Sequence, residues 1–214
     1  MKLQRLSIIA LALAMTSSIT LAATESDSTQ LEVTIQDSIS LVCDGGDGTT
    51  ETVNLGILTA GSPVTGSTTC AVTTNAQAGY VLEVEQDGLS GATTMDNDND
   101  ATIDIADKTA WDQSANAGDG NAAAYAGTGL GFGVLSSTAT KNTTWWGAAA
   151  ACTDAAQLYA GFPLNAAANN NIMEHTTYSG VPTDTVICYQ LDVAGTQQSG
   201  VYHGTVTYTA TSAI

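Results

Sequence analysis

TDTVICYQLDVAGTQQSGVYHGTVTYTATSAI, residues 183 to 214, decides the fold class. Ile187, Tyr189, Leu191 and Val193 fall at every second position, and Tyr202, Val206 and Tyr208 line up opposite a threonine-rich face. Period two is the repeat of a half-buried strand, because successive Cβ atoms point to opposite sides of a sheet. The link from Gly195 to Gly200 has a glycine at each end and is too short for a crossover helix. The two runs are therefore expected to form an antiparallel hairpin, and a hairpin this regular implies an all-β domain.

Earlier stretches speak the same language. Cys70 and Val72 alternate with threonine and alanine; Tyr80, Leu82 and Val84 alternate with Val81, Glu83 and Glu85. The intervening Asn75 to Gly79 reads as a hairpin loop. Thr52 to Leu58 and Gly131 to Leu135 read as further strands, the latter with glycines where another backbone passes closely. Asp44 to Gly48 is a turn, Tyr159 to Leu164 a short strand, and the alanines of Gly147 to Tyr159 suggest a short helix or turn. Leu31, Val33, Ile35, Ile39, Leu41 and Cys43 all occupy odd positions, interrupted at Asp37. Either one kinked strand runs through them, or Leu31, Val33 and Ile35 form a separate arm able to add as a strand to a neighbouring subunit.

At the N-terminus, Lys2 and Arg5 precede an apolar run from Leu6 to Met15 and small residues up to Ala22, the pattern of a secretory signal peptide. Residues 1 to 22 are expected to be removed, 23 to 30 to be a polar segment, and 31 to 214 to form one domain. About 192 residues suffice for one large sandwich. The mature chain keeps Lys108 and Lys141 against 21 carboxylates. Nucleic acid and anionic lipid are poor partners for it, since both require clustered cations. No second apolar span of about 20 residues exists, so no transmembrane segment is expected in the mature protein. Its place is extracellular, on a cell surface, or in a periplasm.

Cys43, Cys70, Cys152 and Cys188 make an even count, which in an exported chain reads as two disulfides. Pairing neighbours in sequence, Cys43 with Cys70 and Cys152 with Cys188, closes two loops of about 30 residues, each contributing on the order of 3 kcal/mol.

VTTNAQAGYVLEV, at Val72 to Val84, together with GVYHGTVTYTAT, at Gly200 to Thr211, resembles small secreted immunoglobulin-like or fimbrial-type β-sandwiches of bacterial surfaces. The resemblance covers about a third of the mature chain. It implies an antiparallel immunoglobulin-like β-sandwich, here with long Gly, Ala and Asn-rich insertions, in a structural surface protein such as a pilus, fibre or coat subunit that self-associates or meets other surface proteins.

Asp96, Asp98, Asp100, Asp104 and Asp107 stand at positions 1, 3, 5, 9 and 12 of a twelve-residue acidic loop, the oxygen spacing of an EF-hand Ca²⁺ site. Ala101 replaces the turn glycine, Asp107 is shorter than the usual glutamate, and no helix signal flanks the loop. An acidic hairpin tip followed by a strand at Thr102 to Ile105 accounts for the same residues. The cofactor expectation is accordingly none, or a structural Ca²⁺. Trp145 and Trp146, taken as extended chain, point to opposite faces, so one could stack on the sugar ring of a glycan. That pair carries the alternative function, a secreted carbohydrate-binding or adhesin module. Asn142-Thr143-Thr144 is a glycosylation sequon that marks a surface loop. His175, His203 and the paired Glu83 and Glu85 sit in no catalytic motif, and no enzyme activity is expected.

Overall fold

The structure, a computed structural model, describes residues 27–44, 51–87, 93–138, 141–164 and 167–213. The leader expected over residues 1–22 and the glycine turn 45–48 lie outside them. Residues 36–214 belong to one compact unit. In chain order its strands are β1 (Ile39–Cys43), β2 (Val64–Thr74), β3 (Tyr80–Gln86), β4 (Met95–Asn97), β5 (Asp100–Ile105) and β6 (Ala123–Ala124). They continue with β7 (Gly129–Ser137), β8 (Leu158–Tyr159), β9 (Asn171–His175), β10 (Ser179–Asp192), β11 (Tyr202–His203) and β12 (Val206–Ser212).

All pairings between these strands are antiparallel. One sheet runs β1-β2-β10-β7, a second β12-β3-β9, a third β11-β4-β5, and β6 pairs with β8. Alternation does what period two demands. Cys70 and Val72 of β2, Phe132 and Val134 of β7, and Ile187, Tyr189 and Leu191 of β10 turn inward from the first sheet. Tyr80, Leu82 and Val84 of β3 and Ile172 of β9 turn inward from the second, and all share one core. Each such side chain contributes roughly 1.5–3 kcal/mol of transfer free energy.

Two expected hairpins are arches instead. β10 pairs with β2 and β7, whereas β12 pairs with β3, so residues 193–205 carry the chain from one sheet to the other. Asn75–Gly79 does the same between β2 and β3. In a hairpin the apolar faces of two strands lie side by side; in an arch they face each other. The alternation along either strand is identical in the two cases, and only the partner differs. Tyr189 and Tyr208 mark the outcome: their hydroxyls meet across the core at 2.7 Å rather than lying on neighbouring strands. At the other arch, Gly79 has φ +84°, and a Cβ there would fall 1.8 Å from the His175 carbonyl oxygen.

Both disulfides form as expected. Cys43 and Cys70 face each other across β1 and β2, and Cys152 ties a turn to Cys188 in β10. β7 is buried through Val134, and along the edge that β10 leaves open Ala160 pairs with Phe132, which brings residues 158–160 close to it. Gly133 permits this approach, since a Cβ would sit 2.2 Å from the Leu158 carbonyl oxygen.

Other expectations are corrected. Residues 51–58 lie in no strand, although Val53 and Leu55 are inward-facing and half-buried. The helical turn is Thr143–Trp146, not the alanine-rich stretch after it, because the Asn142 side chain caps it, accepting from the Thr144 and Trp145 amides at 3.0 and 3.2 Å. The regular ladder of the N-terminal run covers Ile39–Cys43 alone. Leu31, Val33 and Ile35 are in no strand and are 92%, 84% and 79% exposed.

Candidate functional site

Trp145 and Trp146 offer no stacking surface. In a helical turn, neighbours are separated by about 100°, so both rings reach the core instead of opposite faces of an extended chain. They are 6% and 0% exposed. Trp146 packs on Trp111 and Phe132 with ring centroids 4.4 and 5.3 Å apart. Each indole N–H is satisfied: Trp111 donates to the Asn171 carbonyl, Trp145 to Gly118 and Trp146 to Ile172, at 2.7–2.9 Å. The pair is a structural anchor of the long insertion.

The acidic loop is a hairpin of β4 and β5 whose carboxylates turn to separate partners. Asp98 meets His203 Nδ1 at 2.5 Å on the surface. Asp100 accepts from the amide and hydroxyl of Thr102, which hold its pKa down. Asp96 lies opposite Asp104 in the ladder. Asp107 Oδ2 accepts from the Thr94 amide at 2.9 Å and its hydroxyl at 2.7 Å, while Oδ1 is buried without a partner. Burial pushes the Asp107 carboxyl from 3.8 up to about 6; the Thr94 bonds oppose the rise and the Asp96 charge adds to it. Among the described residues, no three His, Cys, Asp or Glu side chains gather into a group able to hold a metal ion.

Glu83 and Glu85 share the outer face of β3, opposite Thr209 and Thr207. His175 packs on the Tyr80 ring, with centroids 5.5 Å apart. Both lysines among the described residues are committed to backbone oxygens. Lys108 donates to the carbonyls of Ala126 and Thr128 and lies 4.1 Å over the Tyr125 ring, and Lys141 donates to Leu135 at 2.8 Å. Partial burial lowers the pKa of each.

A cleft of about 650 Å³ lies beside β12 and opens toward the core. Its floor includes Leu130 and Phe162. One wall is the extended segment with Val53 and Leu55, the other Val206 and Tyr208 of β12. The wall at Val53 and Leu55 is seated by Gly66 of β2, where a Cβ would sit 2.8 Å from each of those side chains. Deep in the cleft the Tyr189 and Tyr208 hydroxyls bond to each other, and burial raises the pKa of both. At its mouth, Tyr202 donates to the Gln198 carbonyl at 2.7 Å and accepts from Gln197 Nε2 at 2.9 Å. Glu51 accepts from Thr68 Oγ1 at 2.7 Å on the opposite rim.

None of Val53, Leu55, Phe162, Tyr189 or Tyr208 stands out in the sequence as a site residue, because inward tyrosines and valines are ordinary core positions. The signal available for the cleft wall is the pair Val53 and Leu55, two residues apart and followed at once by Gly56.

Fold and cleft together define a disulfide-bonded, mostly β protein with antiparallel sheets and an apolar opening beside its last strand. Against known protein families, curated proteins and solved structures, the chain matches none. Two disulfides are characteristic of an oxidising compartment. No helix among the described residues is long and apolar enough to cross a membrane.

Proposed function

We propose that the chain is an exported structural protein of a cell surface, an immunoglobulin-like sandwich serving as a pilus, fibre or coat subunit that self-associates through its sheet edges. The observation that carries this reading is the state of those edges. β1 and β12 are each paired on one side only within the described sheets, and the chain before β1 presents three exposed apolar side chains at strand spacing. Edges without a ladder partner are what a second chain adds to, and an exposed alternating apolar segment is what it can add with. The signal-like leader, the disulfides and the threonine-rich outer faces support the same reading. Burial of Trp145 and Trp146 removes the feature on which sugar stacking rested.

The test is electron microscopy with size-exclusion light scattering on oxidised protein recovered from an exporting host, with and without millimolar Ca²⁺. Filaments or regular assemblies are expected. A monodisperse monomer at every protein concentration and salt would sink the proposal.

A further inference from the structure

We propose that the protein carries a saccharide-binding groove at the start of β10, where the exposed ring of Tyr178 stacks on a neutral, gluco-configured sugar and the Ser40 and Thr73 hydroxyls bond to it. The groove shares no lining residue with the cleft beside β12 and none with the buried Trp pair. It needs one copy of the chain only, so it stands or falls apart from the self-association reading.

A bulge in β10 seats the ring. Ser179 stands opposite Thr74 and Thr183 opposite Val72, so β10 takes four steps where β2 takes two, and residues 180–182 are exposed. Two buried hydroxyls lock this irregularity. Ser179 Oγ donates to the Val181 carbonyl at 2.6 Å and lies 3.0 Å from Thr183 Oγ1, which donates to the Val72 carbonyl at 3.0 Å. Bulges re-aim what lies beside them, and this one brings Gly180 against the Tyr178 ring. A Cβ at residue 180 would sit 2.1 Å from the Tyr178 hydroxyl oxygen and 2.6 Å from Cζ. Gly180 does not have a positive φ, so the ring and not the backbone reserves the position for glycine. A core tyrosine fitted this closely would be covered, yet Tyr178 is 61% exposed. The ring is held in place and left open.

The surroundings of the ring name the ligand class. Tyr178 borders a groove of about 270 Å³ whose other walls include Ser38, Ser40, Thr73 and Asn75. Ser40 and Thr73 are partners across β1 and β2 on the outer face of the sheet, and their hydroxyls have no hydrogen-bond partner among the described residues. The Asn75 side chain is fixed by accepting from the Ser38 amide at 2.6 Å. It spends one Nδ2 hydrogen on the Gln36 carbonyl at 2.9 Å and keeps a second. Among the described residues no charged side chain lines the groove. An aromatic face with hydroxyl and amide groups beside it suits a pyranose, whose axial C–H bonds meet the negative π face while its hydroxyls pair at the edge. Gluco configuration fits best, because every ring hydroxyl is equatorial and both faces present C–H alone. Uronic and sialic acids are disfavoured: the formal net charge of −17 repels them, and the groove offers no cation to a carboxylate.

The test titrates oxidised protein from an exporting host with cellotetraose and with its C6-oxidised counterpart, β-1,4-tetraglucuronate, reading binding by saturation-transfer NMR and isothermal calorimetry. Cellotetraose is expected to bind, and the uronate roughly tenfold more weakly. Tyr178→Ala should lose on the order of tenfold in affinity, whereas Tyr178→Phe keeps the ring and should stay within about twofold of the native chain. Gly180→Ala is the sharper variant. The tyrosine remains, but the new methyl group displaces its ring, so affinity should fall as far as in Tyr178→Ala. Both positions are exposed, and unchanged thermal melting separates lost binding from a lost fold. Full affinity in Tyr178→Ala overturns the stacking, and full affinity in Gly180→Ala overturns the seating. Equal affinity for tetraglucuronate overturns the neutral class. Absence of cellotetraose binding by the native chain at tens of millimolar overturns the site as a whole, whether or not the protein assembles.

Discussion

Replacing Asp107 by asparagine should flatten the dependence of stability on pH across the weakly acid range. In the folded chain the carboxyl sits behind Thr94, with Oδ1 buried and unpartnered, and its pKa rises from 3.8 to about 6. Between those values the folded protein holds a proton that the unfolded chain releases. Stability is therefore fully present below about pH 3.8 and is lost as pH rises through 6. A displacement of about two pKa units corresponds to roughly 3 kcal/mol. For a domain of this size each kcal/mol moves the melting temperature by about 2–4 °C, so the loss amounts to roughly 6–12 °C. Asp107→Asn keeps a carbonyl oxygen to accept from Thr94 and cannot ionise. Calorimetric melting of both proteins from pH 3.5 to 7.5 gives the comparison, and subtracting the curves cancels the contribution of the other carboxylates. The subtracted curve should fall by that amount between pH 4 and 6.5. Parallel curves would show that Asp107 titrates as an exposed carboxylate and would refute the burial argument.

Other perturbations address the scaffold. Trp146→Ala empties a fully buried site beneath Trp111 and Phe132 and should cost about 3–5 kcal/mol in chemical denaturation. A cost under 1 kcal/mol would mean that the ring is not in the core. Gly79→Ala and Gly118→Ala both force alanine to positive φ, yet only at residue 79 does the new Cβ strike backbone. Gly118→Ala should lose about 1–2 kcal/mol and Gly79→Ala clearly more, a ranking that equal losses would contradict. Removing the Cys152–Cys188 bridge by paired serine substitution frees a 36-residue separation and should cost about 3–4 kcal/mol in urea unfolding.

What the sequence reveals of this fold is local. Alternation places strands at β2, β3, β10 and β12 because burial of one face leaves a period-two trace wherever a strand lies. Nearest-neighbour spacing also pairs the cysteines correctly, since each loop is short enough for the bridge to close between adjacent segments. Partnership is invisible to the same reasoning. The tyrosines at 189 and 208 look alike whether their strands lie side by side or face to face, so a hairpin is expected where the chain crosses the core. The Trp pair is misjudged for a related reason. Opposite-face projection assumes an extended backbone, and the capping asparagine at 142 that winds it into a turn reads first as a glycosylation sequon. The cleft goes unread because its walls come from residues 53 and 206, more than 150 positions apart, and its floor from two further segments.

Beyond the leader expected to be removed, the chain has only two peptide bonds that follow a basic residue, at Lys108 and Lys141. Both ammonium groups are fastened to carbonyl oxygens, one on either side of β7 in sequence. A trypsin-like protease must draw such a lysine out of its tether before cleaving, so digestion waits on local unfolding. Poverty in cations is thus a form of armour against proteases of that specificity: the folded chain offers them almost nowhere to cut.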